Sequence, residues 1–377
     1  MRQKFKTIHN PDRSKICVVV GTRPGIIKMS PIIRELERRE MNFFVIHAGQ
    51  HYSYKLDRKI FEDIGLREPK YKLETVKNYN LHGAQTAEML KGIEEILINE
   101  RPGVVLVCGD ANFNLAGALA ARKLGLKVGH VEAGLRSDDW RMPEEHNRVM
   151  IDHISDYLFA PTEEAKQNAI RDNVKGEIFV VGNTIVDAVY QNIEIAKRKS
   201  KILDQLGVQR KNYILLTLHR EENVDFLDII KSIILGLKLI AKKYQVPIIY
   251  PIHPRTKKNL YIFNLHKEIS DVKGLQLIDP LGYLDFLRLL ADAKLVLTDS
   301  GGVQEESCIL KVPCITLREN TERPETVKVG SNKVVGTRAK SIIEGVDEMI
   351  NKPREWNNPF GDGTAARRIV DIILKRI

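Results

Sequence analysis

The fold class is decided by the stretch LVLTDSGGVQEE, residues 295–306. An apolar strand runs into a glycine-containing turn and then into a helix, which is the repeating unit of a parallel α/β sheet. The backbone amides of Ser300, Gly301 and Gly302 then lie at the positive end of the helix dipole, where phosphate groups bind. Glu306 follows on the same helix and can accept both hydroxyls of a ribose. The spacing indicates a nucleotide-diphosphate site; an ordinary glycine-rich turn is the alternative.

The same pattern of strand, turn and helix recurs along the chain in two consecutive series. The first series has predicted strands at 16–20, 43–46, 104–107, 127–131, 157–159 and 178–181, with helices such as 31–39, 81–99 and 112–124. The second has strands at 213–217, 247–250, 275–278, 295–297 and 314–316. Two such series imply two Rossmann-like domains, which bind ligands at the carboxyl ends of their strands. A final amphipathic helix, 365–377, could pack on either domain.

Composition and charge limit the class of protein. The chain has 377 residues, of which 43% are hydrophobic and 29% are charged, and its formal net charge is +10. This is the composition of a globular protein long enough for two domains. Because the basic residues are interleaved with acidic ones and form no nucleic-acid-binding motif, we expect a solvated surface rich in lysine and glutamate and no nucleic-acid partner. An anionic small substrate would also suit a positive cleft.

Several kinds of site and segment are not predicted. No apolar run reaches the roughly 18 residues that span a bilayer, and the N-terminus lacks a signal-peptide core, so we expect a cytoplasmic protein with no membrane partner. The four cysteines form no CxxC pair and are predicted to be reduced thiols. The sequence carries neither HExxH nor a DxD pair, and it has no GxGxxG fingerprint. We therefore expect no metal site and no nicotinamide cofactor.

Charged side chains follow the predicted strands of the first series where those strands end. Arg23 lies in the turn after the first strand and Lys28 comes soon after it, so either can meet an anion. Asp110 and Glu132 follow two later strands, and Glu144 opens the next helix. Since the carboxyl ends of parallel strands share one edge of a sheet, the three carboxylates could converge and divide acid and base roles. Helix capping and surface ion pairs are the alternative.

The second series ends its strands in the same way. His219 comes directly after the strand at 213–217 and beside Arg220, so a histidine is expected at that sheet edge. A structural histidine is the alternative. Further on, Arg323 supplies a cation after the last predicted strand.

Together these motifs resemble those of the non-hydrolysing UDP-N-acetylglucosamine 2-epimerases. The matching segments span nearly the whole chain in the expected order: GTRP (21–24), HVEAGLR (130–136), PEE (143–145), LHR (218–220), TDSGG (298–302) and TERPE (321–325). The resemblance implies an α/β fold of the glycosyltransferase-B type, with two Rossmann-like domains facing a cleft. The first would comprise residues 1–182 and the returning helix in 358–377, and the second residues 183–357. A homodimer is also implied.

The resemblance further implies a reaction and a set of site residues. The family interconverts UDP-GlcNAc and UDP-ManNAc without a cofactor, by eliminating UDP to leave 2-acetamidoglucal and adding it back. The catalytic residues implied by position are Asp110, Glu132, Glu144 and His219. The implied substrate-binding residues are Arg23, Lys28, Phe286, Ser300, Gly301, Gly302, Glu306 and Arg323. Which carboxylate serves which face of the sugar stays open.

Two related activities would use the same fold. An epimerase acting on a UDP-2,3-diacetamido uronic acid would share these motifs, whereas a glycosyltransferase would need an acceptor site. The set of candidate acid–base residues favours an epimerase. Bacterial members of the family also have a second, activating UDP-GlcNAc site, parts of which are resembled by Gln50, His51, Gln85 and His253. The run HPRT at 253–256 departs from the usual His-x-Asn-Pro, which argues against such activation.

Overall fold

The structure is a computed structural model, and it describes residues 7–8, 10–49, 54–74 and 81–377, with the backbone alone for 54–57. The chain forms two compact units, Met1–Gln191 with Phe360–Ile377, and Asn192–Pro359. Each unit is a parallel sheet with helices between its strands, so the predicted fold class is confirmed. The boundary between Gln191 and Asn192 falls inside the helix Thr184–Lys199. The boundary expected from the sequence, between 182 and 183, precedes that helix.

The first unit is built on a seven-stranded sheet. Its strands are β1 (Asp12–Val20), β2 (Phe43–His47), β3 (Tyr71–Lys72), β4 (Pro102–Cys108), β5 (Lys127–Val131), β6 (Tyr157–Ala160) and β7 (Glu177–Val180). They lie in the order β3-β2-β1-β4-β5-β6-β7, and all neighbours are parallel. The helices are α1 (Arg23–Arg38), α2 (Tyr54–Asp63), α3 (His82–Glu100), α4 (Asn112–Lys123), α5 (Pro143–Ile154), α6 (Glu163–Arg171) and α7 (Thr184–Lys199), which leads into the second unit.

The second unit has a six-stranded sheet. Its strands are β8 (Ile214–Thr217), β9 (Ile248–Pro251), β10 (Leu275–Ile278), β11 (Leu295–Thr298), β12 (Cys314–Thr316) and β13 (Asn332–Val334). They lie in the order β10-β9-β8-β11-β12-β13 and all pair in parallel. The helices are α8 (Ile202–Leu206), α9 (Glu221–Val224), α10 (Leu227–Tyr244), α11 (Pro254–Ile262), α12 (His266–Ser270), α13 (Tyr283–Ala291), α14 (Gly301–Ile309), α15 (Pro324–Lys328) and α16 (Ala339–Met349).

The last helix, α17 (Ala365–Leu374), lies with the first unit, where it packs on α1. Its side chains Ile369, Val370 and Ile373 are buried. The carboxylate of Asp187 on α7 accepts hydrogen bonds from the amides of Ala365 and Ala366, at 3.2 and 3.0 Å. This carboxylate caps the start of α17, since those amides have no acceptor within the helix.

Three elements differ from the sequence-based expectation. β3 and β13 are short edge strands with few apolar residues, so no hydrophobic run marks them. The first helix is predicted at 31–39 but begins at Arg23, because Thr22 accepts a hydrogen bond from the Gly25 amide and Pro24 fits the first turn. Pro31 lies inside this helix.

A helix long and apolar enough to cross a bilayer does not occur among the described residues.

Candidate active site

In the first unit, two carboxylates follow the neighbouring strands β4 and β5. Gly109 and Glu132 come directly after these strands, and both have positive φ angles, of 79° and 68°. A Cβ atom on Gly109 would lie 3.3 Å from Glu132 Oε2. The Glu132 carboxylate therefore lies against the Gly109 backbone, one residue before Asp110. Asp110 and Glu132 therefore follow paired strands at the same edge of the sheet.

Glu132 is paired with Lys28. The carboxylate residue is only 5% exposed, and its Oε2 lies 2.7 Å from Lys28 Nζ on α1. A buried carboxylate needs a compensating charge, which Lys28 supplies. The Cys108 thiol lies 3.9 Å from the same oxygen, and burial raises its pKa well above the usual value, with the charge of Glu132 adding to the rise. The structure therefore gives Lys28 a position beside the candidate base.

Asp110 is held by residues of α5. Its Oδ2 lies 2.5 Å from Arg148 Nη2, and its backbone carbonyl accepts a 2.8 Å hydrogen bond from Asn147 Nδ2. Arg148 Nη1 also lies 2.7 Å from Oε2 of the buried Glu145. Glu144 is exposed in the first turn of α5, one turn ahead of Asn147 and Arg148 on the same face. The third candidate carboxylate therefore lies on the helix that holds Asp110.

Glu145 anchors the loop that precedes α5. Its Oε2 accepts hydrogen bonds from the backbone amide and the hydroxyl of Ser137, at 3.0 and 2.9 Å. Burial alone would raise the pKa of Glu145, but the hydrogen bonds from Ser137 and Arg148 outweigh it and lower the pKa. Glu145 is therefore charged, and it holds both the loop and Arg148 in place. No separate role is predicted for Glu145 from the sequence, although its spacing of three residues from Arg148 on a helix is a usable signal.

The asparagines after Asp110 are structural. The buried Asn114 donates to Cys108 O at 2.6 Å and accepts from the Cys108 amide at 3.1 Å, so it ties α4 to the end of β4. Asn112 Oδ1 accepts from Asn147 Nδ2 at 3.0 Å. The two hydrogen bonds of Asn114 thus satisfy both backbone groups of Cys108 at the strand end.

In the turn after β1, packing against a neighbouring side chain requires glycine. A Cβ atom on Gly21 would lie 2.7 Å from the Phe113 ring, and one on Gly25 would lie 3.1 Å from it. Gly25 also donates its amide to Thr22 Oγ1 at 3.3 Å. Arg23 is exposed at the start of α1. Close contact with Phe113 therefore explains both glycines.

In the second unit, the buried Asp299 organises the strand ends. It lies between β11 and α14 and is 0% exposed. Its Oδ2 accepts hydrogen bonds from the amides of His219 and Arg220, both at 2.9 Å, and from Asn223 Nδ2 at 3.2 Å. Its Oδ1 lies 2.9 Å from His219 Nδ1. Burial alone would raise the pKa of Asp299, but the contacts with His219 and the amides lower it.

The His219 loop is fixed from its other side as well. The carbonyl oxygen of Leu218 accepts hydrogen bonds from Tyr250 Oη at 3.2 Å and from Thr256 Oγ1 at 2.7 Å. Because Nδ1 faces the ionised Asp299, a neutral His219 ring carries its proton on Nδ1 and leaves Nε2 unprotonated. Asp299 belongs to the motif TDSGG, but no role in holding His219 is predicted for it from the sequence. Asp299 follows a buried strand, as His219 does, and this position is the sequence signal for such a role.

The start of α14 offers amides to an anion from Gly301 onward. The Ser300 amide is already donated to Thr298 Oγ1 at 3.0 Å, so it is not the free donor that the sequence predicted. The amides of Gly301 and Gly302 begin the helix and have no acceptor within it. A Cβ atom on Gly302 would meet nothing nearer than Ser300 Oγ, at 4.0 Å. Neither packing nor a positive φ angle therefore explains the glycine at 302.

The remaining predicted binding residues lie close to this helix or on other elements of the unit. Arg323 Nε lies 2.7 Å from Oε1 of Glu305 on α14, so the cation is held beside that helix. Glu306 is buried on α14 and Phe286 is half-buried on α13. Groups of three or more potential metal ligands are not found in the described ranges.

The four residues suggested for a second UDP-GlcNAc site are only partly described. Gln50 and His51 lie outside the described residues. Gln85 is half-buried in the first turn of α3. His253 begins α11, where its Nδ1 accepts the Arg255 amide at 3.2 Å, and its ring centroid lies 5.7 Å from that of His219. Partial burial and the nearby His219 lower the pKa of His253.

Comparison with known proteins identifies the family. The sequence model described as UDP-N-acetylglucosamine 2-epimerase matches residues 34–374. The chain is 53% identical to the UDP-N-acetylglucosamine 2-epimerase of Methanocaldococcus jannaschii, covering 95% of this chain and 98% of the other. The chain belongs to the UDP-N-acetylglucosamine 2-epimerase family. The predicted resemblance is thereby confirmed.

A crystal structure of this relative and one further relative bear on the fold and the substrate. The crystal structure of the M. jannaschii epimerase in complex with UDP-GlcNAc and UDP has 52% sequence identity to this chain, with a TM-score of 0.84 over 96% of this chain and 99% of the other. The UDP-2,3-diacetamido-2,3-dideoxy-D-glucuronate 2-epimerase of Pseudomonas aeruginosa is 37% identical, covering 96% of this chain and 99% of the other. The two relatives therefore share the fold family and differ in the UDP-sugar that their names give.

The contact between Asp299 and His219 predicts the effect of Asp299→Asn. The Asn oxygen can still accept the loop amides, but its NH₂ group would face His219 Nδ1 and force the proton onto Nε2. We expect turnover of the family substrate to fall by up to about 10⁴-fold, the size of a wrong-tautomer effect. The ring ¹⁵N spectrum of His219 should show the change of tautomer. Asp285→Asn on α13 is the matched control, and an unchanged tautomer in Asp299→Asn would contradict the assignment.

Proposed function

We propose that this protein is a UDP-N-acetylglucosamine 2-epimerase that interconverts UDP-GlcNAc and UDP-ManNAc. The observation that carries the proposal is the 53% identity, over almost the whole of both chains, to a protein of that name. The site geometry supports it, because Asp110 and Glu132 follow adjacent strands and His219 is held by a buried carboxylate. The family and these acid–base groups together favour proton transfer at a sugar carbon.

The proposed mechanism is elimination followed by re-addition. A base removes the proton at C2, the electrons of that C–H bond form a C1=C2 double bond, and the C1–O bond breaks to release UDP and leave 2-acetamidoglucal. UDP oxygen then attacks C1 while an acid returns a proton to the opposite face of C2. Atoms and electrons balance without an oxidant, so the proposal needs no cofactor. Asp110, Glu132, Glu144 and His219 are the proposed catalytic residues.

The second unit is proposed to hold the UDP group. Negative charge develops on the diphosphate as the C1–O bond breaks, and helix-start amides and cations lower the energy of that charge. The amides of Gly301 and Gly302 and the guanidinium of Arg323 are the proposed partners, with Glu306 on the ribose and Phe286 by the uracil. Ser300 would contribute through its hydroxyl, since its amide is already used. Arg23 and Lys28 are the proposed cations of the first unit.

Incubation with UDP-GlcNAc in D₂O tests the mechanism. We expect the UDP-ManNAc formed to carry deuterium at C2, because the proton returned to C2 comes from an acid in exchange with solvent. Mass spectrometry locates the label and NMR assigns it to C2. Full turnover with unlabelled C2 would rule out elimination and re-addition.

Two alternatives give different outcomes in the same type of assay. A preference for the UDP-2,3-diacetamido uronic acid would appear as faster turnover of that substrate than of UDP-GlcNAc, and the 37% identity to an enzyme so named makes the comparison worthwhile. A glycosyltransferase would release UDP only when an acceptor is present. Of the two, the diacetamido substrate is the stronger alternative.

Gly302→Ala tests the diphosphate site. Alanine at this position meets no protein atom within 4 Å apart from Ser300 Oγ at that limit, so the fold should be retained. The change should raise stability by about 0.4–1 kcal/mol, as alanine in a helix does relative to glycine. The added methyl group would stand where the diphosphate approaches, and we expect the Kd for UDP to rise about tenfold or more, by calorimetry.

Gly83→Ala is the matched control for this change. Gly83 is also the second residue of a helix, and a Cβ atom there would meet nothing within 4 Å. It should show the same small gain in stability with no change in UDP affinity. An unchanged affinity in Gly302→Ala would exclude the start of α14 as the diphosphate site.

The oligomeric state and location are proposed from the family resemblance. We expect a homodimer in the cytoplasm, and light scattering should give a mass near twice the 43.0 kDa of the chain. A monomeric mass at enzyme concentrations that give full turnover would contradict the dimer.

A further inference from the structure

His130 is a buried histidine to which the proposed reaction assigns no role. It lies in β5, two residues before Glu132, and is 1% exposed. Its Nδ1 lies 2.6 Å from Asp152 Oδ1, and its Nε2 lies 3.1 Å from the carbonyl oxygen of Gly109. A carbonyl can only accept a hydrogen bond, and so can an ionised carboxylate. Both ring nitrogens therefore face acceptors.

Asp152 is ionised in this arrangement. It is 0% exposed, and its Oδ2 accepts the Gly134 amide at 3.0 Å and lies 2.7 Å from Arg136 Nη2. Burial alone would raise the pKa of Asp152, but the charges and hydrogen bonds of His130 and Arg136 lower it below the usual value. The Gly134 amide and the Arg136 guanidinium are both donors, so they stabilise the charged form of this carboxylate.

The other charges near the ring are paired. Arg136 also pairs with Asp172 at the end of α6, with 2.8 Å from Nε to Oδ2, and Asp172 Oδ1 lies 3.9 Å from Arg171 Nε. Glu132 is compensated by Lys28. The His130 ring faces the fully buried Asp152 on one side and a carbonyl oxygen on the other, so protons on both ring nitrogens satisfy both acceptors and place a positive charge beside that carboxylate.

The ring also fixes the turn that carries Asp110. The Gly109 amide donates to Val131 O at 3.0 Å, and the Gly109 carbonyl accepts from His130. Both polar backbone atoms of Gly109 are thus bound to β5. Gly109 has a φ angle of 79°, and glycine alone has wide conformational freedom in this region. These two hydrogen bonds therefore restrain the backbone that leads to Asp110.

We propose that His130 is a buried imidazolium that positions the Gly109–Asp110 turn, and with it the Asp110 carboxylate, for the epimerase reaction. His130 does not touch substrate in this proposal; it acts through the Gly109 carbonyl. The catalytic part of the inference rests on the proposed function, whereas the protonation state does not.

The protonation state is tested on the whole wild-type chain without substrate. Ring ¹H–¹⁵N spectra of protein labelled at histidine, recorded up to about pH 8 where ordinary histidines are neutral, should show one ring with protons on both nitrogens. Loss of these signals in His130→Gln assigns them. A His130 ring with one protonated nitrogen at neutral pH would overturn the proposal.

Two substitutions separate the two bonds of the ring. An asparagine amide reaches the position of Nδ1 and keeps the bond to Asp152, whereas a glutamine amide reaches the position of Nε2 and keeps the bond to Gly109. We expect His130→Asn to lower kcat on the order of 10²-fold, the cost of a small misplacement of a reacting group, with little change in KM. His130→Gln should retain more activity. His153→Gln, an exposed histidine on α5, is the control and should leave kcat unchanged.

The outcomes are distinguishable. A purely structural role would make both variants lose activity in proportion to their thermal stability, and equal losses in kcat would overturn the positioning role. A wild-type chain with the doubly protonated ring but no epimerase turnover would contradict the proposed function and leave the imidazolium intact. Epimerase turnover by a chain whose His130 ring is neutral would contradict the imidazolium and leave the proposed function intact.

Discussion

In each unit, one buried aspartate accepts hydrogen bonds from the end of a central strand and the loop that follows it. Asp152 accepts from His130 and from the Gly134 amide, while Asp299 accepts from the amides of His219 and Arg220. A carboxylate without water must be surrounded by donors, because its desolvation costs several kcal/mol when it is unpaired. The loop cannot move without leaving this charge unsatisfied. The need to satisfy the aspartate therefore fixes the backbone from which the candidate catalytic side chains extend.

This constraint gives the sites their preorganisation. A group that transfers a proton must be held in position before the substrate arrives, since reorganisation during the reaction adds to the barrier. Asp110 is held by Arg148 and Asn147, and the His219 loop by Asp299 and two donors to Leu218. The groups that hold these residues are polar and largely buried. The same buried network therefore contributes to stability and to the geometry needed for catalysis.

Much of the fold could be predicted because hydrophobic runs mark the central strands. β4 is buried along its whole length, and the sequence shows it as a continuous apolar run. The edge strands β3 and β13 carry no such run and were not predicted. The candidate carboxylates could be found because they follow buried strands directly. Their partners could not, since the pairing of Lys28 with Glu132 joins residues far apart in the chain. Sequence spacing carries no information on such contacts.

Two glycine-containing turns show why a motif must be interpreted with its contacts. Gly21 precedes α1 and Gly302 lies in the first turn of α14, and both follow a central strand of their sheet. A side chain at Gly21 would collide with Phe113, so packing requires that glycine. Pro24 has no amide hydrogen, and the Gly25 amide is bound to Thr22. At Gly302 the space is open and the helix-start amide has no acceptor within the helix. The second turn can therefore accept a diphosphate on its backbone, whereas the first can offer mainly the side chain of Arg23.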